Sequence, residues 1–246
     1  MTDTQNTRVA LVTGGSGGIG KAVVQRLVAD GLSVAVHYAG NKAKADALVE
    51  QVAASGGRAI AVGGDVADEQ AMIDVFETVE QAFGGIDVVV NTAGVMILGP
   101  IAEYSLDDFD KLIRTNVRGT FVVSQQAARR VREGGAIINF STTVTRTQFP
   151  NYGAYVASKS AVEGLTLILA HELRGKNITV NAVAPGPTAT PLFLEGKSEA
   201  VIENLSKAAP LERLGEPTDI AETVAHLARS ARWINGQTLF VNGGLA

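Results

Sequence analysis

Arg8-Val-Ala-Leu-Val-Thr13, Gly14-Gly-Ser-Gly-Gly-Ile-Gly20 and the segment from Lys21 to Asp30 follow one another without a break. The first is an apolar run long enough for a strand and too short for a helix. The third carries an apolar stripe at Ala22, Val23, Leu27 and Val28 and stops at Gly31. Glycines at such a strand-to-helix junction let the backbone approach a phosphate, and the helix N-terminus supplies free N–H groups and a positive dipole end. The cluster parses two ways. Gly15-Ser-Gly17-Gly-Ile-Gly20 fits G-x-G-x-x-G, and Thr13-Gly14-x-x-x-Gly18-x-Gly20 fits a wider spacing. At the first strand–helix junction of a chain, either parsing makes a nucleotide the leading ligand.

The same alternation continues outward. Further strands are expected at Ser33–Tyr38, Ala59–Val62, Ile86–Val90, Ala136–Ser141, Ile178–Val183 and Thr238–Val241. Helices are expected at Lys42–Ser55, Asp68–Phe83, from the N-cap Ser105 to about Arg132, from after Pro150 to about Leu173, and at Pro217–Arg229. The strands are continuously apolar, as expected where helices cover both sheet faces. The pattern predicts an α/β fold, a Rossmann-type doubly wound parallel seven-stranded sheet with helices on both faces. It is read as a single domain over residues 1–246, with the irregular stretch 190–208 as a substrate lid.

The composition is that of an ordinary globular chain: 246 residues, 46% hydrophobic and 19% charged, with a net charge of −4. Folding at this size buries roughly 75% of the unfolded surface. No basic stripe suggests nucleic acid. There is no cysteine, and the three histidines are well separated, so neither a disulfide nor a metal site is expected. No apolar run approaches a membrane span, and Met1 to Thr7 are polar and lack an apolar signal core. A cytoplasmic location is the expectation.

Tyr155-Val-Ala-Ser-Lys159 lies within a helical segment. Positions i and i+4 share a helix face, so a phenol and an ammonium are aimed at one spot. A neighbouring positive charge favours the phenolate, which suits acid–base work at a carbonyl oxygen. Alone, such a pair is more often packing beside a solvated charge.

Taken together, the motifs resemble the short-chain dehydrogenase/reductase family over about residues 8–244. Thr13-Gly14…Gly18-Ile19-Gly20 resembles its TGxxxGIG loop. Asp65-Val66 matches its adenine contact, and Asn91-Thr-Ala93-Gly94 its N-[NT]-A-G. Asn116 begins Asn-Val-Arg-Gly-Thr-Phe, Tyr155 and Lys159 match YxxxK, and Pro185-Gly186-Pro-Thr188 resembles the segment beside the nicotinamide. Asn235-Gly-Gln…Val241-Asn-Gly-Gly244 resembles the family's C-terminal ending. The resemblance implies a cofactor held by the glycine loop, including Ser16, and by these segments. It implies Tyr155 as acid/base, Lys159 lowering the tyrosine pKa and holding the nicotinamide ribose, and Asn116 positioning a water. Where an NAD site usually places an acid to bind the ribose 2′-OH, this chain reads His37-Tyr-Ala-Gly-Asn41-Lys42. NADP(H) is therefore favoured over NAD(H), with His37, Asn41 and Lys42 as candidate 2′-phosphate contacts.

One position departs from the family. Where a second serine normally supplies the catalytic hydroxyl, the chain reads Asn139-Phe-Ser141-Thr142. Thr142 is preferred for the slot. Strand neighbours point to opposite faces, so Ser141 and Thr142 cannot serve equally. Val95, Met96, Ile97, Leu98, Tyr152, Leu192 and Phe193 are expected around an apolar substrate pocket. The expected reaction is reduction of a ketone or aldehyde, or the reverse oxidation of an alcohol. The polyhydroxynaphthalene-reductase-like carbonyl reductases are the first subfamily resembled. The 3-oxoacyl-carrier-protein reductases are the second. Their basic carrier-gripping positions correspond here to Glu133 and Lys176, a half-match. NAD-linked alcohol or sugar dehydrogenation and a non-catalytic nucleotide-binding regulator are further alternatives. The family also implies a homotetramer built through the two long helices and the last strand.

Overall fold

A computed structural model describes residues 7–246; the polar residues 1–6 of the chain's start lie outside the described residues. Seven strands form one parallel sheet in the order β3-β2-β1-β4-β5-β6-β7. They are β1 (Val9–Thr13), β2 (Ser33–Tyr38), β3 (Ala59–Gly63), β4 (Ile86–Asn91), β5 (Val131–Phe140), β6 (Thr179–Pro185) and β7 (Thr238–Val241). The helices are α1 (Gly18–Ala29), α2 (Lys42–Ala54), α3 (Glu69–Phe83), α4 (Leu106–Ile113), α5 (Gly119–Arg130), α6 (Val144–Thr147), α7 (Gly153–Glu172), α8 (Pro191–Leu194), α9 (Glu199–Ala208) and α10 (Pro217–Arg229). No helix among the described residues is long and apolar enough to cross a membrane.

The continuous apolar runs have a direct cause. Alternate residues of each strand enter different cores. From β1, Ala10 and Val12 join Val23, Leu27, Leu48, Ile220 and Leu227 beneath α1, α2 and α10. Val9 and Leu11 point the other way, to Met72, Phe76, Val123 and Leu169 beneath α3, α5 and α7. Along the central strands β1 and β4 both sides are buried, so neither strand face needs polar residues.

Local signals behave as expected at most boundaries. Asp68 and Ser105 cap their helices by accepting the Ala71 and Asp108 N–H groups. Pro217 opens α10, where Glu216 and Asp219 form a capping box. The long helix after Ser105 differs from expectation. A π-helical turn, Arg114–Arg118, joins α4 to α5, and helix gives way to strand at Val131 rather than near Arg132. The strand starts early because Val131 pairs with Ile86 and buries its side chain, while Arg132 grips Asp87 through bonds of 2.9 and 2.5 Å. The Gly134-Gly135 pair therefore does not separate helix from strand. It forms an irregularity inside β5, and Gly134 has φ +78°.

Phe76 is fully buried in the core under α3. Phe76→Ala is expected to cost about 3–5 kcal/mol in a urea titration, and Glu50→Ala on the exposed face of α2 less than about 0.5 kcal/mol. Equal losses would contradict this assignment of the core.

Candidate active site

All seven strands run the same way, so their C-terminal ends share one edge, and the site is built there. At the end of β1 the chain turns through Gly14, whose φ of +63° is one that side chains other than glycine's rarely tolerate. Gly20 packs so closely beneath this turn that a β-carbon would lie 2.3 Å from the Gly14 carbonyl oxygen. The first turn of α1, Gly18-Ile19-Gly20, has N–H groups without intrahelical partners and no acid to occupy them. These groups and the tip residue Ser16 form a cradle suited to a pyrophosphate. The β4 loop is sewn to the same turn. The Thr13 hydroxyl donates to Asn91 Oδ1 (2.6 Å) and accepts from the Ala93 N–H (3.3 Å). Asn91 Nδ2 donates to Thr120. The Asn91 carboxamide is thus spent on the scaffold, and its contribution to the loop is to shape it.

The three residues considered for a 2′-phosphate separate. His37 is 1% exposed. Its Nδ1 accepts from the Gly14 N–H (3.3 Å) and its Nε2–H donates to the Gly64 carbonyl (3.0 Å). Burial pushes its pKa down to about 4. The expected direct contact is therefore corrected: His37 is a neutral internal brace between the glycine loop and the end of β3. Asn41 caps α2 by accepting the Lys44 N–H. Lys42 is fully exposed to solvent and pairs with Asp46 at 2.7 Å, which raises its pKa. Asn41 and Lys42 are both exposed at the start of α2, unlike His37. Asp65 accepts from the Ala67 N–H and from Arg114. Burial pushes Asp65 up, but those two donors outweigh it and hold the carboxyl below its usual range. Val66 is buried against Gly119.

Tyr155, Lys159, Thr142 and Asn116 converge from three elements. The π-helical turn carries Asn116, which is fully buried. Its Oδ1 accepts from the Val95 N–H, and its Nδ2 donates to the Val95 carbonyl and to Ser158. A β-carbon on Gly94 would sit 3.2 Å from Asn116 Oδ1 and 3.4 Å from Lys159 Nζ, so bare backbone separates the two. Lys159 Nζ donates to the Phe140 carbonyl at 2.8 Å and lies 5.9 Å from the centre of the Tyr155 ring. Burial lowers its pKa to about 8. Tyr155 behaves differently from expectation. Burial pushes its pKa up to about 12, and only the adjoining Thr142 hydroxyl, as a donor, offsets part of that rise. Lys159, lowered to about 8, is neutral in the range where the phenol titrates and so does not offset the rise. The Ser141 hydroxyl donates to Glu163 at 2.5 Å.

Ser141, Thr142, Tyr155 and Lys159 floor a cleft with mostly apolar walls. Val95, Met96, Tyr152, Leu192 and Phe193 line it as expected, together with Phe149. Ile97 and Leu98 do not. The Ile97 carbonyl is held by the Tyr104 hydroxyl, and Leu98 faces solvent. Pro185, Gly186 and Thr188 form one wall, fixed to β7 by the bond from the Gly186 N–H to Val241.

The sequence matches the family described as "Enoyl-(Acyl carrier protein) reductase" over residues 14–246. It is 43% identical to a short-chain type dehydrogenase/reductase of Picea abies, over 96% of this chain and 92% of the relative. It is 41% identical to the 3-oxoacyl-[acyl-carrier-protein] reductase of Staphylococcus aureus, over 97% and 98%. A short chain dehydrogenase from Burkholderia cenocepacia, solved in complex with NADP, superimposes with a TM-score of 0.90 at 39% identity, covering 97% of both chains. The chain belongs to the short-chain dehydrogenase/reductase family.

Within this dehydrogenase/reductase, sequence reading missed two residues that touch the site. Thr190 packs on Gly18, caps α8 and lines the cleft. The Thr-Pro dipeptide was a capping signal, but not a signal for contact with a loop over 170 positions away. Glu163 holds Ser141 and Thr145. Its place eight residues after Tyr155 on the same face of α7 was the available clue.

The depressed Lys159 pKa has a stability consequence. Below about pH 8 the folded protein carries a buried ammonium, which opposes folding. Between about 8 and the usual 10.5 the unfolded chain binds more protons than the folded one, so stability rises with pH across that window. Wild type should be less stable than Lys159→Met at neutral pH, and denaturant titrations should show the gap closing as pH rises. A gap that does not change with pH would show that Lys159 titrates normally.

Proposed function

We propose that this oxidoreductase uses NADP(H) to reduce an apolar or aromatic ketone or aldehyde to the alcohol. The carrying observation is the meeting of the Tyr155 phenol and the Thr142 hydroxyl on the floor of an apolar cleft beside the glycine cradle. When bound, the cofactor supplies the hydride. As hydride reaches the carbonyl carbon, negative charge grows on its oxygen. Two hydroxyl donors aimed there stabilise that charge. Tyr155 gives up its proton to the oxygen, and Thr142 holds the oxygen by a hydrogen bond. Burial keeps the phenol protonated at neutral pH, the state from which it donates. Lys159 and Asn116 support Tyr155 and the ribose from behind.

NADP is supported by the bound cofactor named for the Burkholderia structure, by the absence of an acid after β2, and by Lys42. The apolar walls favour an apolar carbonyl compound. The acyl-carrier reading has support in the Staphylococcus relative. Against it, Glu133 and Lys176 lie at the N-terminal end of β5 and just before β6, the sheet edge opposite the cleft within this chain. Residues 190–208 act as the lid, since Leu192, Phe193 and Leu205 reach into the cleft. A homotetramer is supported by Phe121, Ile168 and Leu167 on α5 and α7, which are 52%, 57% and 46% exposed. Burying such a surface against another copy is the ordinary remedy.

Tyr155→Phe should lower kcat by about 10²–10⁴-fold while leaving NADPH affinity nearly unchanged. The assay is NADPH and NADH oxidation with aryl ketones, aldehydes and an acetoacetyl thioester. Turnover only of the thioester would favour the carrier reading. Tight NADPH binding with no turnover of any compound would favour a non-catalytic regulator. Near-normal turnover by Tyr155→Phe would sink the role given to Tyr155.

A further inference from the structure

Glu163 lies two helical turns beyond Tyr155 and one beyond Lys159, on the same face of α7. Its Oε1 receives the Ser141 hydroxyl at 2.5 Å, and the Thr145 hydroxyl lies 3.0 Å from the same oxygen. These two residues bracket Thr142. The Thr145 hydroxyl also lies 2.9 Å from the Thr142 carbonyl, and the Val144 N–H donates to the Thr142 hydroxyl oxygen at 3.3 Å. Just past the end of β5, the Ser141 and Thr143 N–H groups donate to Val183 and Pro185 of β6 at 2.8 and 2.9 Å. The backbone on either side of Thr142 is thereby tied to β6.

The Ser141–Glu163 bond engages the hydroxyl next to Thr142, and a charge-assisted bond to a carboxylate is about twice as strong as a neutral one. With Ser141 tied to Glu163, Thr142 is left on the Tyr155 side. With that tie cut, the corner is free to twist, and neither hydroxyl is fixed over the reacting oxygen. We infer that Glu163 is a positioning residue that clamps Ser141 and Thr145 and thereby holds the Thr142 hydroxyl against Tyr155. This rests on Thr142 binding the carbonyl oxygen. Glu163 itself touches neither phenol nor lysine, and it acts through Thr142 alone.

The test is a double-mutant cycle on the full-length protein, using NADPH and the carbonyl compound reduced fastest in the panel above. Glu163→Ala should lower kcat by about 10- to 100-fold, the scale of a small misplacement of a catalytic group. KM for NADPH, NADPH affinity by fluorescence titration and the melting temperature should stay near wild type. Glu163→Gln, whose amide oxygen still accepts from Ser141, should recover most of the loss. In a Thr142→Ala background, Glu163→Ala should cost nothing further, because the group it positions is gone. Ser141→Ala cuts the same tie from the other side and gives the same pattern if the Glu163 variants fail to fold. Wild-type kcat in Glu163→Ala beside a disabled Thr142→Ala would overturn the positioning role, as would an equal loss in both backgrounds. If Thr142→Ala is itself fully active, the function assigned to Thr142 fails, and the role of Glu163 falls with it.

Discussion

Every feature of the site depends on strands that all end on one edge in fixed register. Thr13 stands beside Asn91, Asn91 beside Asn139, and Pro185 beside Val241. Parallel pairing makes this inevitable once the crossovers are helical. The sheet order changes direction between β1 and β4. There the two following loops leave toward opposite sides and open a crevice. The Thr13–Asn91 bond closes the floor of that crevice. The glycine turn stands on one side of it and Gly94, with bare backbone against Lys159 and Asn116, on the other. A one-residue slip of β4 would move Asn91 out of line with Thr13 and turn its side chain to the other face.

The electrostatics follow from how deeply α7 is packed. Burial penalises a phenolate and an ammonium alike, so it drives the tyrosine and lysine pKa values apart, to about 12 and about 8. At physiological pH the phenol is then neutral, beside a Lys159 ammonium hydrogen-bonded to the Phe140 carbonyl. That state is a proton donor. Accepting a proton from an alcohol requires the phenolate, which needs a positive charge nearer the hydroxyl than Lys159 lies in this arrangement.

Much of this was legible in the sequence because it is local. The runs at Ser33–Tyr38 and Thr238–Val241 and the proline-led helix at Pro217–Arg229 match the observed elements, since composition and breakers mark both ends. What escaped was set by distant contacts. The early start of β5 depends on Ile86 and Asp87, more than forty residues back. His37 reads as a polar residue at a strand end, and only Gly14 and Gly64 together make it an internal brace. Helix spacing brings Lys159 near Tyr155 but does not show how deeply the pair is buried, and burial is the largest cause of both shifts.

The Ser141–Thr142 ambiguity is the same lesson in its sharpest form. Strand alternation says that only one of two neighbouring hydroxyls can face Tyr155, and it is silent on which. The choice depends on what else each hydroxyl meets, and Ser141 meets a carboxylate from α7, twenty-two positions along the chain. A threonine in the forward position then suits the corner. Its branched Cβ restricts χ1, so once the backbone is clamped the hydroxyl has few directions open to it. A serine there would rotate more freely and depend less on the clamp. The carboxylate behind and the methyl in front are two parts of one device: the first sets which residue faces the phenol, and the second limits where its hydroxyl points.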